Sequence, residues 1–147
     1  MKHTALIDPL DKPAELLKIG EVAAQSGLPV KTVRYYDEIG LLSPTVARSP
    51  AGYRLFSAEV LNRLAFIKRS QSLGLSLSEV QDILAVHDQG QLPCGEVKQH
   101  LETKLDKINR QIEALKTLKA ELHGILSGWQ EVENDRLQHT ICPNLQR

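Results

Sequence analysis

"KIGEVAAQSGLPVKTVRYYDEIGLL", residues 18–42, reads as two short helices with a tight break between them. Ile19, Val22 and Ala23 recur at helical spacing, and the run stops at Gly27, a residue that ends helices because it enters the left-handed region without a Cβ penalty. The pattern restarts with Pro29 at a first-turn position, where its missing N–H costs nothing, and stops again at Gly40. Two short helices joined by a Gly-containing turn make a helix-turn-helix. In such a unit the second helix enters the DNA major groove and its early residues meet base edges. Those residues here are Lys31, Thr32, Arg34 and Tyr35, with Tyr36 beside them. Arg and Thr suit base edges, while Lys ammonium and Tyr hydroxyl groups suit phosphates.

Downstream, "SPTVARSPAGYRLFS" (43–57) carries two prolines, a glycine and the extended "YRLF", the texture of a short hairpin or wing. It adds Arg48, Tyr53 and Arg54, with Gly52 letting the backbone come close to a phosphate. Ser57 is the expected N-cap of a helix whose Val60, Leu61, Leu64 and Ile67 share a face and which Gly74 ends. A further short helix is capped at Ser76 or Ser78 and closed by Gly90. From Gly95 to about Leu126 there is no proline and no glycine before Gly124. Leu101, Leu105, Ile108, Ile112, Leu115, Leu118, Leu122 and Ile125 follow in steps of four and three, a coiled-coil seam. So narrow a stripe buries little alone. At about 1.5 Å per residue the rod is about 45 Å long, more than a domain this small can cover, so a homodimer is expected. The alternative is a helix folded back on its own N-terminal domain.

The chain has 147 residues and no net charge, so total charge points to no partner, whereas its distribution does. From Gly27 to Leu73 lie seven cations (Lys31, Arg34, Arg48, Arg54, Arg63, Lys68, Arg69) and three anions (Asp37, Glu38, Glu59), a net +4. Residues 91–147 carry eight of each sign. A basic head on a neutral rod reads either as a solvated basic face with tyrosines packed behind it or as the footprint of a nucleic-acid binder, and the Arg beside Tyr on both sides of a turn favours the second. No stretch has the apolar length of a signal peptide or of a membrane helix. Two cysteines make no disulfide framework, so the expectation is a cytoplasmic protein with reduced thiols and no membrane partner.

Residues 17–86, above all "VRYYDEIGLL" (33–42) and "GYRLF" (52–56) in that order and spacing, strongly resemble the MerR family of transcriptional regulators. The resemblance implies a mainly α fold: a winged helix-turn-helix DNA-binding domain followed by a long antiparallel coiled-coil dimerisation helix. It also implies double-stranded promoter DNA with a long spacer, kinked and untwisted when an effector binds so that RNA polymerase finds both promoter elements in register. By matching positions, Lys31, Thr32, Arg34, Tyr35 and Tyr36 are implied as recognition-helix contacts, and Arg48, Gly52, Tyr53 and Arg54 as the wing. The expected organisation is an extension over 1–16, the DNA-binding domain with its connector helices over 17–90, the dimerisation helix over 91–127 and an effector-binding tail over 128–147.

Two cysteines flank the rod, in "LPCGEVKQ" (92–99) and "TICPNLQR" (140–147). In an antiparallel dimer Cys94 of one subunit approaches the tail of its partner, including Cys142, giving two symmetric sites built from both chains. The family's metal sensors place a cysteine at the start of this helix and two in the loop beyond it. The first loop cysteine is missing here: counting back from Cys142 reaches Asn134 and Glu133. Two thiolates remain, with His139 as a third donor and His100 as a weaker one. Two soft thiolates suit Hg(II) or Cu(I), and an added imidazole suits Zn(II); the three-thiolate arrangement of a Pb(II) site is incomplete. Competing readings stay open. Cys94 can pack as a small hydrophobe, His139 can be solvated, and Cys142 can be idle or form a reversible intersubunit disulfide with Cys94. Trp129 and Leu137 can line a pocket for an organic ligand. From another class, a coiled-coil adaptor would use the basic head to bind an acidic protein. An enzyme is not expected, because no paired carboxylates in apolar context, Gly-rich phosphate loop or nucleophile–base pair is present.

Overall fold

The computed structural model describes residues 15–133 and 139–146. Most of the extension expected over 1–16 lies outside the described residues. By contacts the chain divides into two units, Met1–Leu101 and Glu102–Arg147.

The first unit opens with β1 (Leu17–Lys18) and runs into α1 (Ile19–Ser26) and α2 (Val30–Glu38). Gly27 adopts φ 72° and donates its N–H to the Ala23 carbonyl at 3.0 Å. That left-handed turn stops α1 where the sequence indicated. Pro29 is the N-cap of α2 rather than a member of its first turn, and its carbonyl accepts from the Thr32 and Val33 N–H groups at 3.0 and 3.1 Å. Gly40, at φ 83°, closes the helix–turn–helix and releases the chain into Leu41 and Leu42, both buried.

A 3-10 turn (Ser43–Thr45) leads to β2 (Val46–Arg48), and β3 (Arg54–Phe56) returns antiparallel with Arg48 opposite Arg54. The hairpin turn is local chemistry. Ser49, Pro50, Ala51 and Gly52 occupy the four positions that a type I turn favours for Ser, Pro and Gly. The Gly52 N–H donates to the Ser49 carbonyl at 2.8 Å, and Gly52 then takes φ 87°. The sheet order is β1-β3-β2, with Leu17 opposite Phe56 on the inner strand. The sequence had not indicated β1.

α3 (Glu59–Ser72) and α4 (Leu77–Asp88) complete the core. Ser57 does not cap α3. Ala58 is already helical (φ −59°, ψ −24°), and the Ser57 carbonyl accepts from the Val60 N–H at 3.0 Å, which draws the start of the helix into a tight first turn. Ser76 does cap α4: its Oγ accepts from the Glu79 N–H and its own N–H donates to Glu79 Oε1, both at 3.1 Å. Val22, Val33, Phe56, Val60, Leu64, Ile67, Val80 and Ile83 meet in one cluster with essentially no exposure. Burying such side chains contributes about 1.5–3 kcal/mol each, and this cluster fixes α2 against the rest of the unit. Arg63 lies inside it, 8% exposed. Its Nη1 and Nη2 donate to both carboxylate oxygens of Asp88 at 2.6 and 3.0 Å, and its Nε donates to the Leu41 carbonyl.

α5 (Cys94–Ser127) is a continuous helix of 34 residues. Within the first unit, Val97 packs on the core and His100 Nδ1 lies 3.4 Å from Glu79 Oε2 on α4. Within the second, Leu105, Ile108, Ile112, Leu115, Leu118, Leu122 and Leu126 are all exposed. The helix keeps the expected four-and-three period, and among the described residues its apolar row is exposed as far as Leu122, while Ile125 at the end of the expected seam is half-buried. Among the described residues these are five α-helices and a three-stranded sheet, with no helix long and apolar enough to cross a membrane.

Candidate nucleic-acid interface

The exposed side of α2 is set by what its other side buries. Val33 and Tyr36, three residues apart, face the core, which leaves Lys31, Arg34 and Tyr35 exposed and Thr32 half-buried. Tyr36 therefore departs from its expected place as a groove contact. It is 7% exposed and its hydroxyl donates to Gln71 Oε1 on α3 at 2.7 Å. Burial, and to a lesser extent the neighbouring Tyr35, pushes the Tyr36 hydroxyl pKa above its ordinary value. Its ring stands 6.2 Å from that of Tyr35, between centroids, so the buried tyrosine braces the exposed one.

The wing carries the second set. Tyr53 is the most exposed of the three tyrosines, and Arg48 projects a side chain 54% exposed. Arg54 is largely withdrawn: its side chain is 18% exposed, its Nε donates to Asp37 Oδ2 at 2.6 Å, and its Nη2 lies 3.7 Å from Glu38 Oε1. Arg48 Nη2 reaches the same Asp37 oxygen at 3.8 Å, while its Nη1 donates to the Gly52 carbonyl at 3.2 Å. Asp37 thus holds both strands of the wing to the end of α2. In the sequence Asp37 is visible only as a charge subtracted from the basic head. Arg63 is one of the cations of that head in the sequence, whereas the structure buries it. Its place between Val60 and Ile67 on one face of α3 was the available signal.

Cys94 is exposed at the first residue of α5. In the second unit the tail closes on itself. The Gln130 N–H donates to Asn144 Oδ1, and Asn144 Nδ2 returns to the Gln130 carbonyl, both at 2.9 Å. Gln146 Oε1 accepts from the Ile141 and Cys142 N–H groups, both at 2.8 Å, so the Cys142 backbone is pinned while its thiol stays partly accessible. His139 and Trp129 are exposed; Asn134 and Leu137 lie outside the described residues. Among the described residues no three His, Cys, Asp or Glu side chains gather as a metal site.

Against known proteins, residues 17–86 match the family described as MerR HTH family regulatory protein, and residues 61–125 the one described as MerR, DNA binding. The HTH-type transcriptional regulator HmrR of Rhizobium leguminosarum bv. viciae is 37% identical over 110 residues, covering 75% of this chain and 84% of that protein. The mercuric resistance operon regulatory protein of Bacillus cereus is 38% identical over 102 residues, covering 69% and 76%. The crystal structure of the transcription regulator PbrR691 from Ralstonia metallidurans CH34 in complex with lead(II) superposes with a TM-score of 0.69. It is 30% identical and the match covers 82% of this chain and 93% of that one.

Proposed function

Because this chain belongs to the MerR family of transcriptional regulators, we propose that it binds promoter DNA in the cytoplasm as a homodimer and switches transcription by distorting that DNA. The observation that carries this reading is the adjoining pair of surfaces on α2 and the wing, each presenting arginine beside tyrosine and braced by Asp37. Arg34 and Thr32 read base edges; Lys31, Tyr35, Arg48 and Tyr53 hold phosphates, and Gly52 admits the wing backbone to the strand. Tyr36 and Arg54 act behind them as supports. The exposed apolar row of α5 pairs with the same row of a second copy. RNA polymerase is the partner that profits from the distorted spacer.

The effector is a thiophilic metal ion, held between Cys94 of one subunit and Cys142 of the other, with His139 as an accessory donor. The mercuric and lead(II) relatives support this class. Two thiolates fit a soft ion such as Hg(II) or Cu(I), and an imidazole extends the set to Zn(II). Bound there, the ion would join two chains and stiffen the dimer.

The test has two arms. Duplexes selected from a random library are titrated with full-length protein, and Arg34→Ala should lower specific affinity by about 1–3 kcal/mol. Undiminished affinity would move the reading head elsewhere, and a shallow salt dependence without sequence preference would favour the adaptor. Anaerobic titration with Hg(II), Cu(I), Zn(II) and Pb(II) should show two ions per dimer, lost in Cys94→Ser and in Cys142→Ser. Binding indifferent to both cysteines would remove the metal from the proposal and make thiol oxidation the next test.

A further inference from the structure

We infer that Asp37 is a positioning residue for DNA recognition, trading general attraction to DNA for sequence discrimination; this rests on the DNA-binding function proposed above. A surface that meets a polyanion gains affinity from every cation and loses it to every carboxylate. Asp37 nevertheless sits at the seam between α2 and the wing, its side chain only 12% exposed. Its position serves geometry. A single oxygen, Oδ2, receives Arg54 Nε at 2.6 Å from β3 and lies 3.8 Å from Arg48 Nη2 on β2. Both strands of the hairpin are thereby tied to the last turn of α2 before DNA arrives.

The residues around Asp37 define what it withholds. Glu38 adds a weaker approach to Arg54, at 3.7 Å, and its own side chain is 56% exposed. Arg48 donates to the Gly52 carbonyl within the wing, so the hairpin keeps its shape without Asp37. The hairpin turn also stands on its own, through Ser49, Tyr53 and Gly52. Without Asp37 the root of the wing stays set by Phe56 of β3, which shares the core with Val33 of α2, but the outer part of the hairpin loses its tie to the end of α2. A wing free to move must be ordered on binding, which weakens the complex that needs both surfaces in register. A loosely held DNA needs no such register and gains from the released arginines.

The two classes of DNA therefore respond in opposite directions. Asp37→Asn removes the charge and keeps the shape. It should lower affinity for the selected duplex about tenfold, through lost pre-organisation, and raise affinity for a scrambled duplex of equal length several-fold. With one more phosphate neutralised, the slope of log affinity against log salt on the scrambled duplex should steepen by about 0.9. Asp37→Glu keeps the charge but lengthens the arm. It should weaken the selected duplex partway and leave the scrambled duplex and its salt slope as in the wild type.

The experiment is a fluorescence anisotropy titration of full-length wild type, Asp37→Asn and Asp37→Glu on both duplexes across a salt series. Circular dichroism on each variant checks folding. Opposite movement of the two affinities in Asp37→Asn supports the inference, as does a loss confined to the selected duplex in Asp37→Glu. Parallel loss on both duplexes would reduce Asp37 to a structural residue and overturn the inference while leaving the DNA-binding function intact. Unchanged affinities would also overturn it. A wild type that prefers no duplex would overturn the proposed function itself.

Discussion

Replacing Asp88 by alanine strands a cation in the core, and the cost follows from what remains. The Arg63 side chain is 7% exposed, its two terminal nitrogens engage both oxygens of Asp88, and its Nε holds the Leu41 carbonyl. A guanidinium does not shed its charge at any ordinary pH. Breaking a buried pair from one side costs about 3–5 kcal/mol. The Asp88 side chain is 29% exposed, so water already reaches that end of the pair, which sets the expectation at the lower limit, about 3 kcal/mol. Arg63→Met leaves a different remainder. The carboxylate turns to water and the aliphatic stem is kept, while the Leu41 carbonyl loses its donor, at about 1–3 kcal/mol. We expect about 2 kcal/mol for that variant, less than for Asp88→Ala. The double variant should cost less than the sum of the singles by at least about 1 kcal/mol, because each change removes the group the other would strand. Urea unfolding at one fixed protein concentration, followed by far-UV circular dichroism, measures all three, since association adds to stability. At a slope of about 1–3 kcal/mol per molar urea the Asp88→Ala midpoint should fall by about 1 M or more. If Arg63→Met proves the costlier single, or the two changes simply add, the guanidinium contributes through its packing and the charge argument is wrong.

Tyr36→Phe removes a hydrogen bond of 2.7 Å to Gln71 and should cost about 1 kcal/mol at neutral pH. The folded state holds the Tyr36 proton more tightly than the unfolded chain, so this contribution is complete below the ordinary value of 10.0 and is lost as pH rises through the folded value. Urea midpoints should therefore fall more steeply in the alkaline range for wild type than for Tyr36→Phe; parallel curves would contradict this. Ser76→Ala opens the capping box of α4 at a cost of about 1 kcal/mol, and Ser76→Asp should restore most of it, read from the same unfolding curves. Leu118→Asp with Leu122→Asp places charge on the exposed row of α5, and sedimentation velocity should show monomer. A persistent dimer would mean that copies associate through another surface.

The elements that local chemistry dictates were readable before any coordinates. Gly27 and Gly40 punctuate the first helices, Ser49 to Gly52 write their own turn, and the four-and-three spacing from Leu101 onward spells a helix. What eluded reading is what distant residues decide. β1 is two residues long and exists because Phe56 and Leu55 stand opposite it, far along the chain. Ser57 has the chemistry of a cap, yet the backbone was already helical at Ala58. The candidate interface divides similarly. Lys31, Arg34 and Tyr35 lie on the exposed side of α2 as helical spacing requires, but charge counting carries no depth. It placed Arg63 on the surface and gave Arg54 a freedom that Asp37 removes. Tyr36, three residues after the apolar Val33, carried a periodic hint of burial beneath a family motif that suggested contact.

The small sheet bears on how copies of this chain recognise one another. Its open borders are β1 and β2, of two and three residues, and each ends on a cation, Lys18 and Arg48. Long, flat, uncharged borders invite strand addition by another chain and, with it, aggregation; short cationic ones resist it. The sheet thus offers a second molecule too little backbone to zip onto. In the proposed homodimer, self-recognition then falls to side chains on α5, where register is specified by sequence.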